Sequence, residues 1–321
     1  MNSEALSRVP ARDRDDGAVP SLDVRAIINT SAGTVFDLTR ERIRAAVESA
    51  FAERGHRIAV VFAEPADVEG AIQEAVASGV DAIVVGGGDG TVRTAARHLI
   101  EQDITLGILP LGTLNRLARD LEIPLRVEDA ARFLAAASPN KIDVAKVNGS
   151  IFLCNSLMGA SLHFSVGRAR LRGKPASERL PKYLALIGAV LSCRRKISIV
   201  VDNGSEQLHI RALSLAVTNN GYDEQTPWLR RSRLDRGKLT LYVSEHRNGW
   251  GMVKALARAS VGLWHGDPDM SKLTGSQFVI QSKTRRRTLS NDGEVHVFET
   301  PLRYEIVPQS LTVLMRQADR G

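Results

Sequence analysis

The segment from Val24 to Ala137 alternates short apolar runs with stretches of helical periodicity, and this alternation limits the fold more than any other feature. The apolar runs are rich in β-branched residues, and two of the helical stretches end at Gly55 and Gly79, as helices commonly do. Strands that alternate with helices build a parallel sheet covered by helices on both faces. The sequence therefore predicts an α/β, doubly wound, mainly parallel domain over residues 23–143.

The pattern changes after Asp143. The stretch "DVAKVNGSIFLCNSL" contains two strand-like runs joined by Asn148-Gly149, a dipeptide typical of tight hairpin turns. Further strand-like runs follow, including "KISIVV", "LHIRALSLAVTN", "KLTLYVSE", "QFVIQS", "RTLS", "YEIVP" and "LTVLM". We therefore predict a C-terminal, antiparallel β-rich domain over residues 144–321, whose last strands can return to the first domain. The active site is expected in the cleft between the two domains.

Composition narrows the range of partners. The formal net charge of +7 favours an anionic partner, but aromatic residues are only 5% of the 321, which is few for a protein that stacks on nucleic-acid bases. The longest apolar run, "YLALIGAVLS", is too short to cross a bilayer. Residues 1–22 are charged, lack periodicity and are expected to form a mobile tail. These features predict a cytoplasmic protein without a transmembrane segment, in which Cys154 and Cys193 stay reduced.

The stretch from Val84 to Ile100, "VVGGGDGTVRTAARHLI", places three consecutive glycines and Asp89 between a buried strand and an amphipathic helix. Glycines let a ligand approach the backbone closely, and the first turn of a helix attracts anions, so a phosphate group suits this loop. The alternative is a tight turn that needs glycine for its geometry alone, with Asp89 as the helix N-cap. The loop matches neither the P-loop nor the GxGxxG pattern.

Two more polar loops follow neighbouring strands of the predicted sheet. One is "LPLGTLNRLARDLEIP", which leads into another helix, and the other is "IINTSAGT", at the end of the first strand. Because the carboxyl ends of consecutive parallel strands meet at one edge of a sheet, the GGGDGT and PLGTLN loops can face one polyphosphate. The loop after the first strand offers further donors, although a loop that starts a helix needs no ligand. The candidate donors in the PLGTLN loop and the loop after the first strand are Asn29, Ser31, Gly33, Gly112, Thr113 and Asn115.

A fourth segment, "SNDGEVH", lies far downstream in the β-rich part. Asp292 and Glu294 bring two carboxylates to one short turn, as activation of a hydroxyl group or binding of a metal requires. A DG turn of this kind is also common in hairpins that have no catalytic role.

Taken in order, "GGGDGT", "PLGTLN" with Ala118 and Arg119, the N-terminal Asn-x-x-Ala-Gly and the late "DGE" resemble the diacylglycerol kinase catalytic family, which includes bacterial lipid kinases and the sphingosine and ceramide kinases. The resemblance runs from Val24 to Leu314. The GGDGT loop alone is less specific, because NAD kinases and 6-phosphofructokinases resemble it there. The PxGTxN loop is what favours the lipid-kinase branch.

The resemblance implies that the chain uses ATP and Mg²⁺. It places Asp89 with the triphosphate and its Mg²⁺, and it gives Asp292 and Glu294 the task of activating the acceptor hydroxyl, without deciding which of the two is the base. The residues that it implies in nucleotide binding are Asn29, Ser31, Gly33, Gly87, Gly88, Asp89, Gly90, Thr91, Gly112, Thr113 and Asn115.

The chain departs from the family pattern at two places. Thr30 stands where the family usually has proline, which affects the rigidity of the first loop. For the family's second metal site the chain offers Ser232 and Asp235, but Arg236 separates Asp235 from Gly237. A second, structural Mg²⁺ at these residues is therefore an expectation drawn from the resemblance alone.

Basic residues cluster in the second domain. The clusters are "RARLRGK" (Arg168 to Lys174), "RRK" (Arg194 to Lys196), "RRSRLDR" (Arg230 to Arg236) and "RRR" (Arg285 to Arg287). A charge run is usually a solvated face, but four of them in the domain expected to receive lipid favour docking on anionic headgroups. The tryptophans, including Trp250, are expected in the core rather than around an acyl cavity.

These features predict a peripherally membrane-associated lipid kinase that transfers the γ-phosphate of ATP to a diacylglycerol-like or sphingoid lipid. A soluble-substrate kinase similar to NAD kinase is one alternative. A non-catalytic nucleotide- or lipid-binding regulator with the same fold is another.

Overall fold

The computed structural model describes residues 21–33, 38–162, 196–202, 206–223, 229–260 and 267–316, with isolated positions between and beside these ranges. Several predictions therefore lie outside the described residues. They concern residues 1–20 of the tail, the basic cluster of residues 168–174, two of the three residues in the cluster of residues 194–196, and Cys193.

The chain forms two lobes. The first contains β1 (Asp23–Asn29), α1 (Arg40–Ala52), β2 (Arg57–Ala63), α2 (Val68–Ala77), β3 (Ala82–Gly87), α3 (Asp89–Leu99), β4 (Thr105–Pro110), α4 (Arg116–Asp120) and α5 (Val127–Ala135). The second contains β5 (Ser138–Val147), β6 (Ser150–Phe152), β7 (Asn155–Gly159), β8 (Ile197–Asp202), β9 (Gln207–Ala212), β10 (Ser214–Asn219), β11 (Leu239–Ser244), α6 (Gly249–Ser260), β12 (Met270–Gly275), β13 (Gln277–Ser282), β14 (Arg286–Asn291), β15 (Glu294–Glu299) and β16 (Leu302–Met315).

Local sequence explains the first lobe. Strands β3 and β4 are buried along their whole length, as expected for central strands of a parallel sheet covered on both faces. The Thr39 side chain caps α1 by accepting a hydrogen bond from the Arg42 N–H. Gly55 and Gly79, just beyond α1 and α2, have positive φ angles, which glycine adopts without strain.

The parallel strands lie in the order β2-β1-β3-β4. Gly87 pairs with Pro110, and Ile28 pairs with Gly86, so the carboxyl ends of β1, β3 and β4 meet at one edge. The three polar loops therefore emerge side by side. This arrangement confirms the predicted α/β, doubly wound first domain.

One ladder joins the two lobes. Strand β16 pairs antiparallel with β5 along most of its length, and near its end it also pairs in parallel with β4, where Val313 is opposite Leu106. The large sheet therefore continues through both lobes in the order β2-β1-β3-β4-β16-β13-β8-β9. The last strand does return to the first domain, and β5 runs across the predicted boundary at residues 143 and 144.

A smaller sheet, in the order β12-β11-β10-β7-β14-β15, completes the second lobe. Its strands share one apolar core with the antiparallel strands of the large sheet, which makes this lobe a sandwich of two sheets. Tyr304 from β16 and Leu289 from β14 both lie in this core. The predicted antiparallel, β-rich second domain is thereby confirmed.

Two strand predictions were wrong in detail. "LHIRALSLAVTN" forms two strands in different sheets, because the chain crosses between the layers at the buried Leu213, whose N–H donates to Ser244 at 2.7 Å. "YEIVP" and "LTVLM" form the single strand β16, whose register shifts between Val307 and Leu311. Gln309, within that irregularity, has a positive φ of 48°. Among the described helices, none has both the length and the apolar composition needed to cross a bilayer.

Asp143 lies where the lobes join, and its side chain is fully buried. One carboxylate oxygen accepts from the Gln309 N–H at 2.9 Å, at the irregularity of β16. The other accepts from the Gly237 N–H at 2.7 Å and from Asn220 Nδ2 at 3.1 Å, in the connection between β10 and β11. One side chain on β5 thus fixes two other chain segments.

We predict that Asp143→Ala lowers the free energy of unfolding by about 3 kcal/mol, because one buried and two partly buried donors lose their acceptor. Urea denaturation followed by circular dichroism measures the change. Asp103→Ala, at an exposed position, is the control and is expected within about 0.5 kcal/mol of the wild type. Equal stability of the two variants would contradict the role given to Asp143.

Candidate active site

The two glycine loops of the first lobe touch each other. A Cβ atom built on Gly112 would lie 2.3 Å from the Cα of Gly88, and one built on Gly88 would lie 3.5 Å from the Cα of Gly112. The first distance is far below any van der Waals contact, so position 112 needs glycine for this approach. The loops after β3 and β4 therefore form one continuous backbone surface, as the sequence predicts.

Asn115 holds the second loop in shape. Its Oδ1 accepts from the Gly112 N–H at 2.9 Å, and its Nδ2 donates to the carbonyls of Pro110 and Gly112. The residue is buried and adopts a left-handed conformation with φ of 49°, which asparagine tolerates better than most residues. Both ends of the side chain are occupied within the loop, so Asn115 fixes the shape of the loop backbone.

Asp89 ties the two loops together. Helix α3 begins at Asp89, and its N-cap residue is Gly88. The Oδ1 of Asp89 accepts from the Arg116 N–H at 2.7 Å, at the start of α4. The N-cap alternative for Asp89 is therefore wrong.

The loop after β1 joins the same surface. Asn29 Nδ2 donates to Thr91 Oγ1 at 3.1 Å, and Asn29 Oδ1 accepts from the Ser31 N–H at 3.0 Å. A Cβ atom on Gly33 would lie 3.8 Å from Thr113 Oγ1. Loops after three strands thus meet, and the candidate residues of the first lobe lie together.

Local contacts explain the residue types of Thr30 and Gly87. The Thr30 N–H donates to the Ala63 carbonyl at 3.0 Å, a hydrogen bond that proline could not make. The loop is therefore held here by a backbone contact with β2. A Cβ atom on Gly87 would lie 2.5 Å from Thr91 Oγ1, so this glycine makes room for the threonine that binds Asn29.

Asp292 is buried, and both of its carboxylate oxygens accept hydrogen bonds. Its Oδ1 accepts from the N–H groups of Cys154 and Asn155 at 2.8 and 3.0 Å, and its Oδ2 accepts from the Leu153 N–H at 2.7 Å. Its φ of 51° belongs to the turn between β14 and β15. The carboxylate therefore anchors this turn to the segment that leads into β7.

The Glu294 side chain extends from the second lobe to the glycine loop after β3. A Cβ atom on Gly90 would lie 2.7 Å from Glu294 Oε1, so a side chain at position 90 would displace the carboxylate. Glu294 forms an ion pair with Arg93 of α3, whose side chain is only 13% exposed. Arg93 Nη1 also lies 3.1 Å from His296 Nε2. Glu294 remains accessible, with 46% of its side chain exposed.

The sequence did not single out Arg93 or His296. Arg93 follows Asp89 by one helical turn on α3, and His296 follows Glu294 by two positions on β15, which puts both on the faces turned toward the site. Side-chain periodicity could have identified them once the lobes were known to meet here.

Arg116 was also missed. Its Nη2 donates to the Tyr222 hydroxyl at 3.0 Å, and Tyr222 stacks on Tyr242 with ring centroids 5.5 Å apart. The Asn155 amide is best oriented with Oδ1 toward the guanidinium, where it accepts from Nη1 at 3.3 Å and from Nη2 at 3.1 Å. Arg116 thus spans from the loop that holds Asp89 to the second lobe.

Arg231 forms a buried ion pair across the lobes. Its Nε and Nη2 donate to Asp120 Oδ2 at the end of α4, and Nη1 donates to the carbonyls of Leu153 and Asn219. Burial works against the charge of Arg231, but the Asp120 carboxylate raises its pKa above the ordinary value. Nη2 also contacts the Sγ of Cys154, a free thiol whose pKa is raised by burial.

The residues expected at a second metal site are bonded elsewhere. Ser232 donates through Oγ to Asp223 at 2.9 Å, and Asp235 forms an exposed pair with Arg233 at 2.8 Å. The side-chain hydrogen bond from Arg233 lowers the pKa of Asp235. The second Mg²⁺ stays a prediction.

Among the described side chains, the group of possible metal ligands found is His246, Asp267 and Asp269, whose ligand atoms lie within 4.8 Å of one another. This group lies beyond Ser244, the last residue of β11. Asn219 pairs with Leu239, at the opposite end of that strand.

Ion pairs neutralise much of the predicted basic surface. In the cluster of residues 230–236, the arginines at 230, 231 and 233 each pair with a carboxylate, and the side chain of Arg231 is 1% exposed. Arg285 and Arg286 both lie within 4 Å of Glu299. The prediction of a core position was wrong for Trp250, which is 57% exposed at the start of α6.

Comparison with known proteins identifies the first lobe. Residues 23–147 match the family model of the diacylglycerol kinase catalytic domain, which confirms the resemblance over that segment. A Pseudomonas aeruginosa protein named "Probable lipid kinase YegS-like" is 43% identical over 116 residues, and a Yersinia pestis protein of the same name is 36% identical over 100 residues. These matches cover 35% and 30% of this chain. They span 38% and 34% of the relatives' own length.

Solved structures resemble the whole fold. A diacylglycerol kinase from Bacillus anthracis superposes with a TM-score of 0.69 at 20% identity, covering 92% of this chain and 97% of that one. A second structure from the same organism gives a TM-score of 0.73 at 23% identity with the same coverage. At these identities the likeness establishes the shared two-lobe fold.

We predict that Gly112→Ala lowers the melting temperature and weakens nucleotide binding, because its methyl group would push the two loops apart at a cost of about 1–3 kcal/mol. Differential scanning fluorimetry with and without ATP measures both effects. Gly70→Ala on α2, where nothing lies within 4 Å of the added carbon, is the matched control and should melt at the same or a higher temperature. Equal behaviour of both variants would rule out the close approach of the loops.

Proposed function

We propose that this chain, whose residues 23–147 match the model of the diacylglycerol kinase catalytic domain, is a lipid kinase that transfers the γ-phosphate of ATP to a hydroxyl of a diacylglycerol-like or sphingoid lipid. One observation carries this proposal most strongly. The Glu294 carboxylate, from the opposite lobe, lies against Gly90 in the predicted phosphate loop. A group able to accept a proton is therefore next to the place where phosphate is expected.

The three loops suit a triphosphate. The first N–H groups of α3 have no partner within the helix by geometry, and they point out of an N-terminus that carries a partial positive charge. Because Gly88 and Gly112 have no side chains, no side chain of theirs covers the backbone where the loops touch. Bound Mg²⁺, held by Asp89, would neutralise phosphate charge during transfer.

The contacts favour Glu294 over Asp292 as the base. Each oxygen of Asp292 already accepts from the backbone of the segment leading into β7, whereas Glu294 is solvent-accessible and held at one side by Arg93. In the proposed reaction the acceptor hydroxyl gives its proton to Glu294 while its oxygen bonds to the γ-phosphorus. The bond from that phosphorus to the bridging oxygen breaks, and ADP leaves with the electron pair.

The two alternatives make different predictions. A kinase similar to NAD kinase would transfer label to NAD, and a non-catalytic regulator would bind nucleotide without turnover. The family match of the first lobe and the names of its relatives support a lipid acceptor. The contact of Glu294 with the loop supports catalysis over simple binding.

Helix α6 offers a surface for peripheral contact with an anionic bilayer. Trp250, Lys254 and Arg258 are exposed and follow one another at four-residue spacing, while Met252 and Ala255 are buried. Trp250 and Lys254 line an open pocket of about 570 Å³. A stripe of tryptophan with basic side chains is typical of helices that lie at the level of lipid headgroups.

Charge supports the same surface. Within the described part of the chain, Lys254 and its neighbour Arg247 are without an ion-pair partner, and Arg258 lies 3.9 Å from Asp267. The support comes from these unpaired cations and not from an excess of basic residues, because three acidic residues lie nearby, Glu245, Asp267 and Asp269.

The kinase assay tests the function directly. Purified protein with labelled ATP, Mg²⁺ and a panel of lipids is expected to label a lipid and not NAD. Glu294→Gln should lower kcat by roughly 10²- to 10⁴-fold with little loss of stability, because a general base is removed. Asp292→Asn should instead lower the free energy of unfolding, because an amide nitrogen would face backbone donors. Asp89→Asn serves as an inactive reference. Label on NAD, or full activity of Glu294→Gln, would refute this mechanism.

Vesicle binding tests the membrane surface. Lys254→Glu should weaken binding to vesicles of phosphatidylcholine and phosphatidylglycerol by about tenfold or more, since each basic residue near an anionic surface contributes about 1 kcal/mol. Lys141→Glu on β5, an exposed position with the same change of charge, is the control. Sedimentation at low and high salt measures binding, and an equal loss in both variants would argue against α6.

A further inference from the structure

We infer that the Arg116 guanidinium, held by Tyr222 and Asn155, is a binding point for the terminal phosphoryl group of the nucleotide. This inference rests on the proposed function and names one more residue that touches the transferred group. It concerns a position that the sequence motifs leave open, since Arg116 comes just after the last residue of "PLGTLN".

The backbone of Arg116 belongs to the phosphate loops. Its N–H donates to Asp89 Oδ1, and it follows Asn115, whose left-handed conformation turns the chain into α4. The start of the Arg116 side chain is therefore fixed relative to Asp89. Its end lies at Tyr222 and Asn155, in the second lobe. The guanidinium consequently lies where the phosphate-facing loops of the proposed site meet the second lobe.

The hydrogen-bond partners that the structure describes for the Arg116 guanidinium are uncharged, a phenol hydroxyl and an amide oxygen. Tyr222 and, more weakly, the Asp120 carboxylate raise the pKa of Arg116, but Asp120 is already paired with Arg231. An arginine that is partly shielded from water and has no hydrogen-bonded carboxylate at its guanidinium is suited to bind an anion, because the anion supplies a counter-charge.

The guanidinium of Arg116 has donors left over for such a ligand. A guanidinium has five N–H donors in one plane, and the two neutral partners do not use all of them. The stacking of Tyr222 on Tyr242 and the hydrogen bond from the Tyr222 N–H to the Tyr242 hydroxyl at 2.9 Å fix the phenol that orients Arg116. A planar donor group held in one orientation matches the oxygens of a phosphoryl group.

A purely structural role of Arg116 predicts a different effect on nucleotide binding. If Arg116 only pinned the lobes together, its loss would weaken the binding of every nucleotide to a similar extent. If it contacts the terminal phosphate, the loss should depend on how many phosphates the ligand carries. The comparison between ATP and AMP therefore separates the two roles.

Equilibrium binding of ATP, AMP and inorganic tripolyphosphate to the full chain provides the test. Arg116→Met is expected to weaken ATP and tripolyphosphate at least tenfold and AMP less than threefold, since a charged hydrogen-bonded contact is lost only for the former. Arg116→Lys should restore part of the ATP affinity because it keeps a cation. Arg132→Met, at an exposed arginine of α5, is the control and should bind all three ligands as the wild type does.

Each outcome decides the inference. Equal losses for ATP and AMP, or no loss for ATP, would overturn it, and so would a wild type that binds neither ATP nor tripolyphosphate. If the wild type binds ATP with the predicted dependence on Arg116 but phosphorylates no lipid, the proposed function fails while the inference stands. A melting curve of each variant identifies any that do not fold, in which case Arg116→Lys decides.

Discussion

The buried carboxylate of Asp143 is the constraint on which the relation of the two lobes depends. It accepts hydrogen bonds from the irregular turn of β16 and from the connection between β10 and β11, and its own N–H donates to the Leu234 carbonyl. A charge in this position is costly unless every oxygen is satisfied, so the surrounding backbone has little freedom to move. The lobes are therefore joined by a rigid polar centre as well as by the β5–β16 ladder.

A second buried charged side chain, Arg231, holds the candidate site rigid in the same way. Arg231 links Asp120, at the end of α4, to the carbonyl groups of Leu153 and Asn219 in the second lobe. Leu153 in turn donates to Asp292, which fixes the turn that presents Glu294. Hydrogen bonds and short lengths of backbone thus connect α4, which follows the second glycine loop, to the turn that carries Glu294. These contacts hold Glu294 and the loops in fixed relative positions.

The first lobe could be predicted well because its signals are local. Glycine positions, β-branched runs and helical periodicity each act within a few residues, and they gave the strands, the loops and the meeting of Gly88 with Gly112. The second lobe depends on contacts distant in sequence. Nothing around Leu213 shows that the chain changes sheets there, and nothing in "RRSRLDR" shows that Arg231 is buried against Asp120, 111 residues away. Arg116 escaped notice for the same reason, since its partners come from the other lobe.

The position of β16 has a consequence for how the chain is made. Its residues Leu311, Val313 and Leu314 belong to the apolar core of the first lobe, and it covers the free edge of β4. During translation the first lobe is synthesised before the second, yet its sheet stays one strand short until residues 302–315 have left the ribosome. The two lobes must therefore complete their folding together. A nascent chain that stalls early would expose the unpaired edge of β4, which chaperones would have to shield.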